Sequence, residues 1–286
     1  MLTPSRTQEL LKALDHLPRK SLGQNFLIDA NIVRKHLSLA DLSPQDVIVE
    51  IGPGLGTLTE SILAAGHTLY AIELDRTLAH FLEKNLLERY KATFHLSLGD
   101  AVDAPLANLP AQIASTQPFK VLANLPYAIS TPWLARLLKE PVLPQRMVLM
   151  LQKEAAERLT ASPGSKAFSA ISIFLQSAYR TLTMHGVSRG CFFPSPEVDS
   201  VLIVLEQVAK PYRFEPTIRS LIQRIFTQRR KQMGRLCRSE TSLGIVEPWL
   251  EAMAEAGLPK TSRPEQISIE WWQKLNNLYV EGSEAP

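Results

Sequence analysis

The sequence predicts an α/β protein: a mostly parallel β-sheet with helices on both faces and one antiparallel edge strand, followed by a small C-terminal α-helical domain. Three observations lead there. From Asp46 to Val204 short β-rich runs alternate with helical patterns, the signature of a parallel sheet covered on both sides. The first β-run breaks at Gly52, Gly54 and Gly56 just before a helical stretch. Beyond Pro211 to Pro216, Ile218, Leu221, Ile222, Ile225 and Phe226 recur at helical spacing alone. The sheet domain is therefore expected over 1–212 and the helical domain over 213–286.

In chain order, residues 47–51 form the first strand, and after the glycine turn Thr57-Leu58-Thr59-Glu60 supplies a capping-box pattern for a helix running to Ala65. A strand at 68–73 and a helix over about 75–89 follow. The third strand, 93–98, ends at Gly99-Asp100, and the fourth, 119–123, runs into Asn124-Leu125-Pro126-Tyr127. Thr131 is placed to cap the next helix with Pro132 at its first position. A strand at 147–151, a helix at 153–159, a Ser/Pro/Gly loop at 162–165 and an apolar helix at 168–179 come next. Two β-like runs, 180–187 and 198–205, are joined by too few residues for a helical crossover, so they are expected side by side and antiparallel at one edge. The last six residues, 281–286, read as a frayed tail.

Composition narrows the functional classes. The chain has 286 residues, 45% apolar and 21% charged, enough apolar content to offset the entropy of folding and to exclude global disorder. Its apolar runs have strand length, far below the roughly 20 residues that cross a bilayer. Arg6, Glu9, Lys12 and Asp15 interrupt the first sixteen residues, which denies them the continuous core of a secretion signal. A cytoplasmic protein without a membrane partner is expected. Two cysteines, Cys191 and Cys237, provide neither a disulfide framework nor a thiolate zinc site, and the six histidines lack ligand spacing, so no metal is expected. Net charge is +3, yet residues 219–238 carry seven basic side chains and no acidic one. Such asymmetry fits either a polyanion partner or a solvated helix face.

The glycine turn lets backbone amides at a helix N-terminus approach a ligand. Its pattern is G-x-G-x-G, with Thr57 standing where the dinucleotide fingerprint needs its third glycine, which disfavours NAD and FAD. Glu73 closes the second strand 21 residues after Gly52, where a carboxylate can accept from both ribose hydroxyls of a nucleoside; the plain alternative is a surface carboxylate. Asp100 after the third strand can accept from the amino group of an adenine, or else form a turn or helix cap after Gly99. Glycines and two acids without a phosphate-loop lysine favour S-adenosylmethionine over ATP.

Asn124-Leu125-Pro126-Tyr127 is the most informative tetrapeptide. An exocyclic amine on a nucleobase is a poor nucleophile because its lone pair is delocalised into the ring. Acceptors that encourage a tetrahedral nitrogen make it reactive. The Asn124 side-chain oxygen and the Leu125 carbonyl can serve so, Pro126 stiffens the turn, and Tyr127 offers a ring for stacking. No strong base is needed, since methylation acidifies the amine. An ordinary strand-terminating turn with a core tyrosine is the alternative.

Taken together, these residues resemble the rRNA adenine N6,N6-dimethyltransferases, most of all their small-subunit (16S) branch. The resemblance spans nearly the whole chain. It rests on Lys20-Ser21-Leu22-Gly23-Gln24-Asn25-Phe26-Leu27, residues 49–56, Ile72-Glu73-Leu74-Asp75, Gly99-Asp100-Ala101, Asn124-Leu125-Pro126-Tyr127, Leu151-Gln152-Lys153-Glu154 and residues 192–200. It implies a Rossmann-like, S-adenosylmethionine-dependent methyltransferase sheet in which Asn25, Leu27, Gly52, Gly54, Glu73, Asp100 and Asn124 line the donor site. It also implies that Asn124, Leu125 and Tyr127 hold the target adenine while Phe192 closes on the flipped base opposite Tyr127, with Phe193 as the alternative ring. Arg224, Arg229, Arg230, Lys231 and Arg235 are the expected RNA contacts. Gly234, where relatives tend to carry a polar helix former, is expected to bend or fray a basic helix over 226–235. The match beyond Glu240 is looser, carried by Leu258-Pro259 and Arg263-Pro264-Glu265.

The resemblance implies dimethylation of two adjacent adenosines in the 3′-terminal hairpin loop of 16S rRNA, by a monomer acting on a small ribosomal subunit particle. Two other readings share the motifs: a 23S rRNA dimethylase giving antibiotic resistance, and an rRNA-binding checkpoint of subunit assembly. The longer C-terminal region with its Arg-Pro-Glu segment favours the 16S substrate, by resemblance alone.

Overall fold

A computed structural model describes residues 3–19 and 22–284, so Lys20 and Ser21 of the N-terminal motif, and Ala285 and Pro286 of the expected tail, lie outside the described residues. The first half of the chain forms α1 (Pro4–Ala13), β1 (Phe26–Leu27), α2 (Ala30–Ala40), β2 (Val47–Ile51), α3 (Thr57–Ala64), β3 (Thr68–Glu73), α4 (Arg76–Leu82), β4 (Phe94–Leu98), α5 (Ala111–Thr116) and β5 (Phe119–Asn124). There follow α6 (Ser130–Leu137), β6 (Arg146–Gln152), α7 (Lys153–Leu159), α8 (Ala170–Gln176), β7 (Tyr179–Val187), β8 (Phe192–Phe193) and β9 (Ser200–Gln207). The last stretch is helical: α9 (Pro216–Thr227), α10 (Met233–Leu236), α11 (Val246–Glu255) and α12 (Ile269–Glu284). Among the described residues no helix is long and apolar enough to cross a membrane.

The chain divides into two compact units, Met1–Ala156 with Arg180–Gln207, and Glu157–Tyr179 with Val208–Pro286. A single break after residue 212 does not describe this division, because 157–179 packs with the C-terminal helices. Periodicity cannot reveal that exchange, since α8 reads like any helix covering a sheet.

The first unit holds a seven-stranded sheet in the order β4-β3-β2-β5-β6-β9-β7. From β4 through β6 all neighbours run parallel. β9 lies antiparallel to β6, from Arg146 opposite Glu206 to Gln152 opposite Ser200. The two runs expected at one edge are indeed neighbours there, and the antiparallel partner of β6 is the inner one. All five residues of β2 are buried, as are the central residues of β5 and β6, as a parallel sheet covered on both faces requires. Ile48, Leu69, Leu122, Val148 and Leu202 pack with α2 residue Val33 and α3 residue Ile62 in one core. The chain winds outward from β2 through β3 to β4, then returns through β5 beside β2. That reversal opens a crevice beyond the C-terminal ends of β2 and β5.

Several local expectations are corrected. The capping box at 57–60 does not form: Gly56 in the left-handed region is the N-cap of α3, and Thr59 gives its hydroxyl to buried Glu50 instead. Thr131 sits inside α6, because the Ile129 amide already closes a turn on the Pro126 carbonyl. The helix expected over 75–89 is capped by Asp75 but passes after Leu82 into a π-turn over Glu83–Leu87. The apolar helix near 168–179 shortens to α8, whose start is set by the mutual bonds of Ser169 and Ser172. The tail is helical through Glu284.

The second unit is built on aromatic packing. The rings of Trp249 and Trp272 lie 5.3 Å apart, Phe226 and Trp272 5.9 Å, and Phe168 and Phe226 6.3 Å. Trp249 satisfies its indole N–H on the Trp271 carbonyl at 2.8 Å. Arg219, the first cation of the basic stretch, is buried with its guanidinium 4.2 Å from the Phe174 ring centre.

Candidate active site

A cavity lies at the C-terminal ends of β2, β3 and β5, walled on one side by residues 22–27. Gly52, Gly54 and Gly56 all have positive φ, so the turn after β2 doubles back and presents amides where side chains would otherwise stand. Glu73, at the end of β3, holds that turn. Its Oε2 accepts from the Gly54 amide and its Oε1 from the Asp75 amide, each at 2.9 Å. Burial pushes the Glu73 carboxyl above its ordinary range, against these two bonds. Asp100 borders the same cavity. Its Oδ1 accepts from Val102 at 2.7 Å in an Asx turn, so the turn expected as the alternative is present, and Oδ2 is the oxygen left for a ligand.

The tetrapeptide after β5 is held from three sides. The Leu125 amide bonds the Met150 carbonyl of β6 at 3.2 Å, and the Tyr127 hydroxyl lies 2.7 Å from the Ser200 hydroxyl at the start of β9. Asn124 donates from Nδ2 to the Asn25 carbonyl at 3.1 Å. That bond fixes the amide flip, which leaves Oδ1 as an acceptor. Gly23 crosses directly over this turn: a Cβ there would stand 3.0 Å from the Tyr127 nitrogen, and its φ is +63°. Only glycine fits such an approach.

Residues 22–27 are latched at both ends. Gln24 donates to Asp75 Oδ2 at 3.1 Å and accepts from the Arg19 amide at 2.8 Å. β1 pairs with β8, Phe26 opposite Phe193 and Leu27 opposite Phe192. The structure thus gathers Asn25, Leu27, Gly52, Gly54, Glu73, Asp100, Asn124, Leu125 and Tyr127 around one cavity. Phe192 is not in the wall: it is 3% exposed and packs in the sheet's core, directly opposite Leu27. Phe193 is half-buried and packs with Phe26.

Sequence reasoning named no part in the site for Glu50, Thr59, Ser200 or Asp75. Glu50 is fully buried in the cavity wall, and burial pushes its carboxyl up to about 8, with a bond from Thr59 opposing and Glu73 adding to the rise. A carboxylate inside an apolar strand was the available signal. Ser200 had none, because it meets Tyr127 only through the sheet.

Among the described residues the cavity wall carries three carboxyls, Glu50, Glu73 and Asp100, and no cationic side chain. A wall without cations gives a triphosphate no counter-charge, while its carboxyl acceptors suit the hydroxyls and amine of a nucleoside. S-adenosylmethionine fits that description. Among the described residues no group of histidine, cysteine and carboxylate side chains is arranged to hold a metal ion.

The family model of ribosomal RNA adenine dimethylases matches residues 15–276. The chain belongs to the ribosomal RNA adenine dimethylase family. Ribosomal RNA small subunit methyltransferase A of Opitutus terrae is 53% identical over 274 residues, covering 96% of this chain and 98% of its own. The enzyme of the same name from Moorella thermoacetica is 39% identical, with 96% of each chain covered. Two solved structures share the fold at 23% identity: a dimethyladenosine transferase from Plasmodium falciparum, TM-score 0.72 over 90% of this chain and 98% of that one, and the 23S rRNA methyltransferase ErmE, TM-score 0.64 over 90% and 100%. As a dimethylase of this family, the protein is a methyltransferase.

The basic stretch of this dimethylase is not one helix. α9 stops at Thr227, residues 228–232 turn, and α10 is a single turn. Gly234 follows the break rather than causing it. A Cβ there would stand 3.2 Å from Lys260, whose carbonyl accepts the Gly234 amide at 2.8 Å. Of the expected RNA contacts, Arg224 is ion-paired to Glu240 at 2.8 Å and Arg229 donates to the carbonyls of Lys166 and Phe168. Lys231 bonds Gln228, and Arg230 and Arg235 are exposed.

Proposed function

We propose that this protein transfers methyl groups from S-adenosylmethionine to N6 of two adjacent adenosines in the 3′-terminal hairpin loop of 16S rRNA. The substrate is a small ribosomal subunit particle in the cytoplasm, and the products are N6,N6-dimethyladenosines. The observation that carries this reading is the locked Asn124 amide, whose Nδ2 is spent on the Asn25 carbonyl so that Oδ1 is the acceptor at the cavity. The relatives named as small-subunit methyltransferases support the choice of rRNA.

When bound, the donor supplies an electrophilic methyl carbon on a positively charged sulfur. Glu73, held by the Gly54 amide, would accept from its ribose hydroxyls, and Asp100 Oδ2 would accept from its adenine amine. Asn124 Oδ1 and the Leu125 carbonyl accept from the target N6 amine and aim its lone pair. After one methylation a single N–H remains, and one of these acceptors suffices to aim it again. Tyr127 stacks on the extruded base, a contact worth about 1–3 kcal/mol. Phe192 supplies the second ring once it leaves its packing opposite Leu27, with Phe193 the alternative. The proton lost from the methylated amine passes to water or a neighbouring acceptor. Catalysis of this kind is mainly positioning.

Labelled donor, incubated with the protein and separately with small- and large-subunit rRNA particles, tests the reading. Label on two adjacent adenines near the 3′ end of 16S rRNA is expected. Label on 23S rRNA alone would overturn the substrate, and no label on either would overturn the chemistry.

A further inference from the structure

The two oxygens of Glu73 are reached from the N-terminal part of the chain by separate routes. α1 ends in a turn where Asp15 takes φ +47°, the Asp15 amide bonds the Lys12 carbonyl at 3.1 Å and the His16 amide bonds the Leu11 carbonyl at 2.9 Å. A turn of this kind closes a helix and carries the next residue back across its last turn. That residue is His16, whose side chain is buried with Nε2 3.7 Å from Asp75 Oδ2. Asp75 in turn donates its amide to Glu73 Oε1 at 2.9 Å. Neither His16 nor Asp75 lines the cavity.

The polar route is directional. Gln24 gives Nε2 to Asp75 Oδ2 at 3.1 Å, so its Oε1 is an acceptor, and His16 Nε2 at 3.2 Å must carry the hydrogen that Oε1 receives. Asp75 Oδ1 takes the Thr77 and Leu78 amides at 3.0 and 3.4 Å, which is all that capping α4 requires. Its second oxygen, Oδ2, is therefore given over to the N-terminal part of the chain. The apolar route ends at the other Glu73 oxygen. Leu11 of α1 packs with Phe26, Leu55 and Leu78, and a Cβ on Gly54 would stand 3.2 Å from the Phe26 ring. The Gly54 amide then donates to Glu73 Oε2 at 2.9 Å.

We propose that His16 is a positioning residue for the methyl donor: through Gln24 and Asp75 it holds Glu73 in the orientation that receives the donor's ribose, from outside the cavity. This rests on the ribose contact of Glu73 proposed above. Arg19, whose guanidinium is exposed and 3.9 Å from Asp75 Oδ2, adds little to the relay because water screens it. The relay steadies bound donor without touching the reacting atoms. Its loss raises the donor KM and leaves kcat at saturating donor unchanged.

The test uses the full chain and measures donor KM and kcat on small-subunit rRNA particles. Calorimetry adds the affinity for S-adenosylhomocysteine and for its analogue lacking both ribose hydroxyls. His16→Phe keeps a ring but loses the N–H, and His16→Gln restores an N–H at similar reach. His16→Phe is expected to raise the donor KM and weaken S-adenosylhomocysteine about 2- to 10-fold, the size of one neutral hydrogen bond, with kcat held. His16→Gln should regain most of that loss, and both variants should bind the analogue as the unaltered protein does. Should His16→Phe fail to melt cooperatively, His16→Leu carries the same comparison. If the unaltered protein binds the analogue as tightly as S-adenosylhomocysteine, Glu73 does not hold the ribose and both readings fall. If it distinguishes the two ligands but the His16 variants lose nothing, or lose equally on both, the relay is overturned and the Glu73 contact stands.

Discussion

Tyr127 and Ser200 share a hydroxyl pair 2.7 Å apart across 73 residues of sequence. It fixes the ring of the Asn-Leu-Pro-Tyr turn to the first residue of the antiparallel strand, so the plane proposed for stacking is set by the sheet. Tyr127→Phe and Ser200→Ala each remove one partner of a bond worth about 0.5–1.5 kcal/mol, and should each lower kcat/KM about 2- to 10-fold. The double variant should be no worse than the poorer single one. Additive losses in that cycle would show that the two hydroxyls act separately.

Asn124 is expected to tolerate nothing. Asn124→Ala removes the acceptor and Asn124→Asp sets a carboxylate against the Asn25 carbonyl that now receives Nδ2. Both should cut single-turnover methyl transfer by about 10²- to 10³-fold, the usual size for a preorganised contact at the reacting group. Retention of activity in the Asp variant would mean that the amide flip is irrelevant.

Phe192 and Phe193 are the two rings proposed for stacking, and their substitutions separate them. With Phe192 in the core and Phe193 half-buried, Phe192→Ala should lower both the melting temperature and kcat. Phe193→Ala should leave kcat nearly unchanged. The reverse pattern in kcat would assign stacking to Phe193.

Buried carboxyls and a buried imidazole give stability a pH dependence of opposite sign, with Glu73 raised in the same direction as Glu50. Glu50 is raised to about 8, chiefly by burial, so its contribution is whole below the unfolded carboxyl range near 4.5 and is lost as pH rises toward 8. His36 bonds the Val148 carbonyl at 2.8 Å, and burial lowers it to about 4. Its contribution is whole above the unfolded value near 6.5 and is lost as pH falls toward 4. Urea unfolding from pH 4 to 9 should show both arms. Glu50→Gln should reduce the alkaline arm, leaving the share of Glu73, and should not alter the acid arm.

Lys120 and Asp46 form an ion pair at 2.7 Å, both under 10% exposed, at the end of the sheet away from the cavity. Asp46→Ala leaves a buried ammonium without its carboxylate and should cost about 3–5 kcal/mol of unfolding free energy. Methyl transfer at low temperature should survive, since neither residue borders the cavity. A loss under 1 kcal/mol would show that water reaches Lys120.

The sequence by itself determined the parallel sheet, the glycine turn, the acids that end β3 and β4, and the Asn-Leu-Pro-Tyr corner. Each is written within a few residues, as a period, a turn or a strand end, and local sterics read such signals directly. Only the tertiary structure decided which atom of Asn124 is free, that Ser200 steadies Tyr127, that Phe192 lies in the core, that the basic run breaks at Gln228, and that residues 157–179 belong with the C-terminal helices. These depend on pairs of groups far apart in the chain, such as Asn25 with Asn124 or Lys166 with Arg229. No local pattern encodes a partner that arrives only when strands and helices pack.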